Sequence, residues 1–208
     1  MKKKYESQNL LQKISEKDTF TKVRYAQFYS HFNKSSKHIL DLGCNTGTGG
    51  SVLKKINNNL IIDGLDVVKQ RLDKIIKKNY NKIYYSLSTK IPQVNNYYDC
   101  ILLGEVIEHI YEDDIDKTFI EFFRVLKIGG KILLTTPNPL DIKKKIKKES
   151  ILGGPHVSQH YPHILKLRLK MNGFSNIKIR GTGKVSKYLG PYFPIWIYGS
   201  YLISATKF

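Results

Sequence analysis

The feature that most constrains the fold is a glycine-rich turn that joins an apolar run to a helical pattern. The run HILDL at 38–42 ends at Gly43, and the segment GGSVLKKIN at 49–57 then has the character of a helix. Glycines let the backbone turn sharply from a strand into a helix and approach a ligand closely. The sequence therefore predicts a strand, a turn and a helix with the geometry of a nucleoside-binding site.

The same alternation of strands and helices continues along the chain. LIIDGL at 60–65 predicts a buried strand, and VVKQRLDKIIKKN at 67–79 predicts an amphipathic helix. A second helix is expected at 114–130, with Gly129 and Gly130 as its stop. Further strand-like runs are KIYYSL (82–87), YDCILLG (98–104) and KILLTT (131–136). This order predicts an α/β fold with a mostly parallel sheet and helices on both faces.

The two ends of the chain flank this core. At 208 residues the chain has the size of one domain. We expect a helical lead-in at 1–36, the core at 37–136, and an irregular loop with C-terminal strands at 137–208. Within the last part, a helix is expected at 162–172, and an antiparallel strand at 199–206 is expected to close the sheet.

The chain carries a strong positive charge. Lys and Arg number 35 against 17 Asp and Glu, which gives a formal net charge of +18. Only five of the 35 are Arg, the residue that contacts bases and phosphates best because its guanidinium forms paired hydrogen bonds. We therefore interpret the charge as a solvated lysine surface, and the clusters at 2–4 and 143–148 as alternative contacts for nucleic acid or anionic lipid.

Cysteine usage and hydropathy indicate a cytoplasmic protein. Cys44 and Cys100 both lie in apolar stretches, so neither a disulfide framework nor a four-ligand zinc site is expected. The sequence shows no signal-peptide core and no run of the ~18–20 apolar residues that a transmembrane segment needs. The aromatic tail at 190–208 is expected to contain the closing strand, and a membrane-touching patch is the alternative.

An acidic residue follows the second predicted strand. Asp66 lies 19 residues after Gly47, where its carboxylate could accept hydrogen bonds from ribose hydroxyls. The glycines at 43, 47 and 49 differ in spacing from the dinucleotide pattern G-x-G-x-x-G. Asp41, just before them, would repel a pyrophosphate and attract a cation.

These residues carry a resemblance to a known family. DLGCNTG at 41–47 resembles the first motif, Asp/Glu-x-Gly-x-Gly-x-Gly, of class I S-adenosylmethionine-dependent methyltransferases. The similarity continues in LDVV (65–68), YDCILLGEVIEHI (98–110) and EFFRVLKIGGKILLTTPNP (121–139), and it covers roughly 36–180. The resemblance implies a Rossmann-like sandwich and S-adenosylmethionine as the cofactor.

The resemblance also implies which residues bind the cofactor. Asn45 replaces the usual middle glycine, which we expect to be tolerated because Asn adopts left-handed backbone angles more readily than most residues. Ser86 stands where many relatives have an acidic residue near the adenine. The expected cofactor-binding residues are Asp41, Gly43, Cys44, Asn45, Gly47, Asp66, Val67, Ser86, Leu87 and Glu105.

Methyl transfer to a hydroxyl needs a base that removes the proton of the acceptor. Imidazole suits this role because it titrates near neutral pH. His156, in the loop GGPHVSQHYP, is our first candidate and His109 the second. His160 and His163 are expected to be held by local hydrogen bonds.

A possible metal site lies in the segment GEVIEH. Glu105, Glu108 and His109 fall at i, i+3 and i+4, which would place them on one face of a helical turn. Similar turns bind a divalent metal in some quinol O-methyltransferases and small-RNA 2′-O-methyltransferases, while many relatives bind none. Carboxylates are also favoured at a helix N-terminus by the helix dipole. We expect no metal.

The sequence predicts an S-adenosylmethionine-dependent methyltransferase that acts on a small molecule, at an oxygen of a sugar, glycan precursor or quinol. One alternative is RNA 2′-O-methylation, which the charge favours and the scarcity of Arg disfavours. The other is a catalytically silent partner subunit that uses the tail at 188–203 as its contact surface. The sequence does not predict the oligomeric state.

Overall fold

The computed structural model describes residues 1–12 and 17–208, and these residues form a layered α/β structure. The strands are β1 (His38–Leu42), β2 (Ile61–Asp66), β3 (Lys82–Tyr85), β4 (Tyr98–Gly104), β5 (Leu126–Pro137), β6 (Phe174–Thr182) and β7 (Ser200–Lys207). The helices are α1 (Lys2–Leu10), α2 (Thr21–Tyr29), α3 (Thr48–Ile56), α4 (Lys69–Leu72), α5 (Glu112–Val125), α6 (Ile142–Ile146), α7 (Pro162–Met171) and α8 (Lys184–Leu189). Part of the predicted lead-in, residues 13–16, lies outside the described residues.

The strands form one seven-stranded sheet in the order β3-β2-β1-β4-β5-β7-β6. The strands from β1 to β5 pair in parallel, whereas β7 runs antiparallel between β5 and β6. The predicted fold class is therefore confirmed, including the antiparallel strand at the C-terminus. No helix among the described residues is both long and apolar enough to cross a membrane.

Both faces of the sheet are covered, which explains why its central strands have apolar side chains on both faces. Side chains alternate between the faces, so Leu40 and Ile39 belong to different apolar clusters. The first cluster packs against α5 through Phe119, and the second packs against α2 and α3 through Phe28 and Leu53. Because β1 to β5 run parallel, their carboxyl ends lie at the same edge of the sheet, where open α/β sheets bind ligands.

The predicted helix at 67–79 is wrong for most of its length. The structure has the short α4, then a turn, then a 3₁₀ helix at Lys77–Asn79. Ile75, which follows α4, packs its side chain beside Gly47. Tertiary packing at the glycine-rich turn thus overrides the local helical pattern.

The predicted glycine stop after the second helix is also wrong. The helix α5 already ends at Val125, and Gly129 and Gly130 lie inside β5. The pairing of β5 with β4 shifts register in this region, so the glycines form a bulge in the strand. A Cβ on Gly130 would lie 2.8 Å from the carbonyl oxygen of Lys127, which explains why glycine is needed there.

Candidate active site

A cavity of about 650 Å³ lies at the carboxyl ends of β1, β2 and β4. Every predicted cofactor residue except Asp41 and Gly47 lines it, namely Gly43, Cys44, Asn45, Asp66, Val67, Ser86, Leu87 and Glu105. Residues from the N-terminal segment and from the loop before α7 complete the wall, including Arg24 and His156. The structure therefore brings together groups that are far apart in the chain.

The turn after β1 adopts the backbone shape that its sequence suggests. Gly43 and Asn45 have φ angles of 71° and 52°, both in the left-handed region. The Asn45 angle agrees with the expectation that Asn substitutes for glycine here. The N–H groups of Gly43 and Cys44 both donate to the carbonyl oxygen of Leu65, which ties the turn to β2.

Asp66 is held rigidly at the cavity wall. Its two carboxylate oxygens accept hydrogen bonds from the backbone N–H groups of Asn45 and Val68, each at 2.9 Å. Burial raises the pKa of Asp66, and these hydrogen bonds act in the opposite direction. Each oxygen keeps a second lone pair. Asp66 can therefore accept hydrogen bonds from a ligand without giving up its backbone contacts.

The structure places Asp41 behind the cavity rather than in its wall. The Asp41 carboxylate is fully buried and accepts hydrogen bonds from the hydroxyls of Tyr25 and, at 2.6 Å, Tyr80. Burial raises the pKa of Asp41 to about 6, against the effect of the two tyrosine hydrogen bonds. Asp41 thus stabilises the turn through its two tyrosine partners and does not line the cavity, which differs from the expected ligand contact.

The other predicted residue outside the cavity wall is Gly47. It precedes α3 with a φ angle of 88°, and a Cβ there would contact Tyr80 and Ile75. Its role in the structure is the backbone turn itself.

Glu105 follows β4 in a left-handed conformation with a φ angle of 58°. It precedes the 3₁₀ helix Ile107–His109, so the expected helical turn that begins at Glu105 is absent from this segment. The Oε1 atom of Glu105 is buried and has no hydrogen-bond partner among the described residues. Arg24 lies 3.9 Å from this atom. A buried carboxylate oxygen at a cavity wall suits a cationic ligand group, such as a sulfonium or an ammonium.

Arg24 is a functional candidate that the sequence analysis missed. It lies on α2, is largely buried, and pairs with Asp18 at 3.0 Å. A guanidinium at the cavity wall can bind a ligand carboxylate. The signal that could have found it is the scarcity of Arg in this lysine-rich chain, which makes an Arg on the helix that precedes the first core strand unusual.

His109 and His156 lie side by side in the cavity wall, with ring centroids 4.9 Å apart. The Nδ1 atoms lie 2.9 Å from the carbonyl oxygens of Pro155 and Ile151 respectively. Because a carbonyl oxygen only accepts, each Nδ1 carries a hydrogen. The lone pair of each neutral ring is therefore on Nε2.

The two histidines differ in how free that lone pair is. The amide nitrogen of Gln12 lies 2.9 Å from Nε2 of His109, and Arg71 donates to the amide oxygen of Gln12. Burial lowers the pKa of His109 to about 4. His109 is thus neutral and already engaged, which favours His156 as the base.

The other two histidines considered from the sequence, His160 and His163, lie outside the cavity wall. His160 is buried, and its Nε2 atom contacts Ser158 and the carbonyl oxygen of Ile107. His163 is exposed near the start of α7, beside the ring of Tyr161. His160 is therefore held by local hydrogen bonds, as expected, whereas the contact that the structure gives His163 is with the Tyr161 ring.

A possible metal-binding group forms, but its members differ from those considered from the sequence. Glu108, His109 and His156 bring one ligand atom each within 4.8 Å of one another, and Glu105 is not part of this group. One Glu108 oxygen accepts from the Thr136 hydroxyl at 3.0 Å. Burial raises the pKa of Glu108 well above its usual range. A metal-free site stays our prediction.

Comparison with known proteins agrees with the cofactor site that the geometry indicates. A family model described as a methyltransferase domain matches residues 17–179. The ubiquinone/menaquinone biosynthesis C-methyltransferase of Vibrio cholerae is 29% identical over 113 residues. The demethylmenaquinone methyltransferase of Leptospira interrogans is 30% identical over 109 residues. This chain spans 41% of the length of each of these relatives.

Solved structures share the fold. A methyltransferase dependent on S-adenosylmethionine from Archaeoglobus fulgidus has a TM-score of 0.70 at 20% identity, covering 90% of this chain and 93% of that one. A possible histamine N-methyltransferase from Thermotoga maritima has a TM-score of 0.70 at 15% identity, covering 99% and 95%. The glycine-rich turn, the cavity at the strand ends and the match across most of the sequence lead to one conclusion: the chain belongs to the class I S-adenosylmethionine-dependent methyltransferase family.

Proposed function

We propose that this protein transfers a methyl group from S-adenosylmethionine to a small-molecule acceptor, and that the acceptor is a hydroxylated ring of the quinol type. The observation that carries the proposal is the position of His156. Its Nδ1 atom is held by the Ile151 carbonyl oxygen, and its ring lines the same cavity as Asp66 and Glu105. The names of the two curated relatives, which refer to quinone biosynthesis, support the quinol among the acceptors considered.

The cofactor supplies an electrophilic methyl group on a sulfonium. Within the cavity, the Asp66 carboxylate would accept hydrogen bonds from the ribose hydroxyls, and Glu105 would face the sulfonium and ammonium groups. Arg24 would pair with the methionine carboxylate, and Ser86 and Leu87 would lie near the adenine. These contacts would fix the donor so that an acceptor can approach in line with the bond that breaks.

His156 would activate the acceptor. Its Nε2 atom takes the proton of a ring hydroxyl, which leaves an oxyanion conjugated with the ring. The negative charge is then shared between the oxygen and ring carbons, so either atom can attack the methyl carbon. In both cases the bond from sulfur to the methyl carbon breaks, and the cofactor would leave as the neutral thioether. Attack by a ring carbon also requires the hydrogen on that carbon to leave as a proton to solvent, which restores the aromatic ring. The same first deprotonation thus serves O-methylation or C-methylation of a quinol.

The net charge of +18 favours RNA as a second candidate acceptor. The structure weakens that argument for the N-terminal cluster. Lys2 and Lys4 lie over the rings of Tyr85 and Tyr111, at 3.2 and 3.8 Å from the centroids. These ammonium groups already have partners within the chain.

The test is a transfer reaction with methyl-labelled S-adenosylmethionine and three acceptor pools: reduced short-chain quinones that lack one methyl group, nucleotide sugars, and generic RNA. Mass spectrometry counts the label in each pool. We expect label in the quinols, and much less label with the Asp66→Asn variant at a cofactor concentration below saturation. Label only in RNA would favour the second candidate. Cofactor binding with no label in any pool would indicate a silent partner subunit.

A further inference from the structure

An exposed surface beside the active site combines aromatic and lysine side chains. We call it the aromatic–lysine face and define it by the apolar side chains of 188–196 together with the lysines of α6 and α8. Tyr188, Tyr192 and Trp196 are 81%, 77% and 50% exposed, and Leu189 and Phe193 are also exposed. Five exposed large apolar side chains within nine residues are unusual, and exposed apolar surface that is concentrated in this way marks interaction sites.

The segment is held in place although its side chains point outward. The buried Tyr198 hydroxyl donates to the carbonyl oxygen of Gly190 at 2.6 Å and accepts from the N–H of Phe193. The side-chain amide of Asn138 donates to the carbonyl oxygens of Ile195 and Tyr198. The exposure of the aromatic rings is therefore a property of an anchored loop.

The charge of this face is positive. The described lysines of α6 and the turn after it, and Lys184 and Lys187 of α8, are mostly exposed. The acidic residues nearby offset little of this charge: Asp141 is buried as the cap of α6, and Glu149 lies 3.8 Å from Lys147. Charge complementarity therefore calls for an anionic partner.

A second cavity of about 380 Å³ opens between α6, α8 and the 3₁₀ helix Ile195–Ile197. The lining is mixed: it includes the apolar side chains of Phe20, Val23, Val185 and Ile197 and the charged side chains of Lys143 and Lys184. Phe20, Arg24 and Glu105 also line the candidate active site. The two cavities are therefore adjacent, and lysines of the aromatic–lysine face line the second one.

We propose that the aromatic–lysine face docks on the surface of an anionic lipid bilayer, and that the second cavity takes the apolar portion of an acceptor dissolved in that bilayer. Tyr and Trp rings favour the boundary between headgroups and acyl chains, and lysines favour anionic headgroups. The exposed aliphatic chain of Leu189, and that of Ile146 among the α6 lysines beside this face, favour hydrocarbon over stacked nucleobases. The second half of the proposal rests on the proposed function, whereas the docking itself does not.

The chain contains a built-in reporter, because Trp196 is its single tryptophan. We expect its emission to shift to the blue and to be quenched by brominated lipid when vesicles with ~30% phosphatidylglycerol are added. Neutral phosphatidylcholine vesicles should give a much smaller change. An unchanged emission with both vesicle types, together with no co-sedimentation, would overturn the docking proposal. A shift with generic RNA but none with vesicles would also overturn it, in favour of nucleic acid.

Variants separate charge from apolar contact. The double variant Lys145→Glu/Lys187→Glu should weaken vesicle binding at least about tenfold, since each lysine near an anionic surface contributes roughly fivefold. Tyr192→Ser/Phe193→Ser should weaken it by a similar factor. The matched controls are Lys77→Glu/Lys78→Glu and Val94→Ser/Ile128→Ser, which change exposed side chains elsewhere. Equal losses in variants and controls would contradict a specific face.

Calorimetric binding of S-adenosylmethionine is measured on the same samples. Vesicle binding without cofactor binding would sink the proposed function and leave the docking intact. Cofactor binding without vesicle binding would do the reverse.

Discussion

We propose one residue, His156, as the base, and its removal tests directly how the acceptor is activated. A positioned base contributes roughly 10²–10⁴-fold to a rate, so His156→Ala should lower turnover by that factor. The affinity for S-adenosylmethionine should stay within about twofold. The wild-type rate should fall at acidic pH, because a protonated imidazole accepts no proton, and this limb should vanish in the variant. Steady-state kinetics and calorimetry check both.

The matched control for this test is His163→Ala, because His163 is exposed and lies outside the lining of both cavities. We expect the control to keep wild-type turnover. Near-normal turnover and an unchanged pH limb in His156→Ala would place the base elsewhere.

His109 links stability to pH. Burial lowers its folded-state pKa to about 4, while the unfolded value is about 6.5. The folded state therefore favours the neutral ring, and the stabilisation is present above pH 6.5 and lost as pH falls through 4. The full loss is roughly 3 kcal/mol. Urea unfolding at pH 7.5 and pH 4.5 should show a smaller loss of stability in His109→Asn than in the wild type.

His160 serves as the comparison, because burial lowers its pKa too. The variant His160→Asn should also reduce the pH dependence, and the two effects should add. An identical pH dependence in wild type and His109→Asn would show that folding does not lower the pKa of His109.

The group formed by Glu108, His109 and His156 gives a prediction about metal. We expect activity in EDTA to stay within about twofold of the untreated value, because one Glu108 oxygen is hydrogen-bonded to the Thr136 hydroxyl and both His109 nitrogens have partners. Elemental analysis of the purified protein should show far less than one equivalent of a transition metal. Loss of activity with EDTA and rescue by magnesium, manganese or zinc would make these residues ligands.

At the scale of elements, α2 and α3 depend on a glycine between them. A Cβ on Gly49 would lie 2.2 Å from the ring of Tyr25, whose hydroxyl donates to Asp41. Gly49→Ala should therefore displace α2 and destabilise the protein by about 1–3 kcal/mol. This corresponds to roughly 2–12 °C in Tm for a chain of this length. Lys55→Ala, at an exposed position of α3, is the control in thermal melts and should change Tm little. A wild-type Tm for Gly49→Ala would contradict the packing described.

The sequence predicted elements well where local pattern and tertiary packing agree. The run HILDL became β1, and the apolar run at 98–104 became β4 with the predicted bounds. The pattern at 67–79 failed because Ile75 packs beside Gly47 instead of continuing a helix. The stop at Gly129 failed because glycines also serve bulges in strands. Periodicity reports which side chains are apolar, and it does not report what they pack against.

At the scale of the whole molecule, the site combines groups that no local pattern links. Arg24 from α2 lies 3.9 Å from Glu105 after β4, and His109 contacts His156 from a loop 47 residues later. The motifs therefore indicated most of the cofactor side and the sequence offered His156 and His109 as bases, whereas Arg24 and the contact between the two histidines needed the structure. A matching motif does not fix the role of each of its residues. The Asp41 carboxylate, expected to contact the cofactor, binds two tyrosines behind the cavity wall.

The central claim is that the cavity at the carboxyl ends of β1, β2 and β4 binds S-adenosylmethionine, and isothermal titration calorimetry tests it directly. We expect one cofactor per chain, with Asp66→Asn weaker by roughly 1.5–3 kcal/mol, or about 10–150-fold, through lost hydrogen bonds. The control is Asp63→Asn, because Asp63 is buried in the same strand, bonds to Tyr98 and Asn81, and lies outside the cavity. Equal affinity in wild type and Asp66→Asn, or no heat with the folded wild type at millimolar cofactor, would contradict the account.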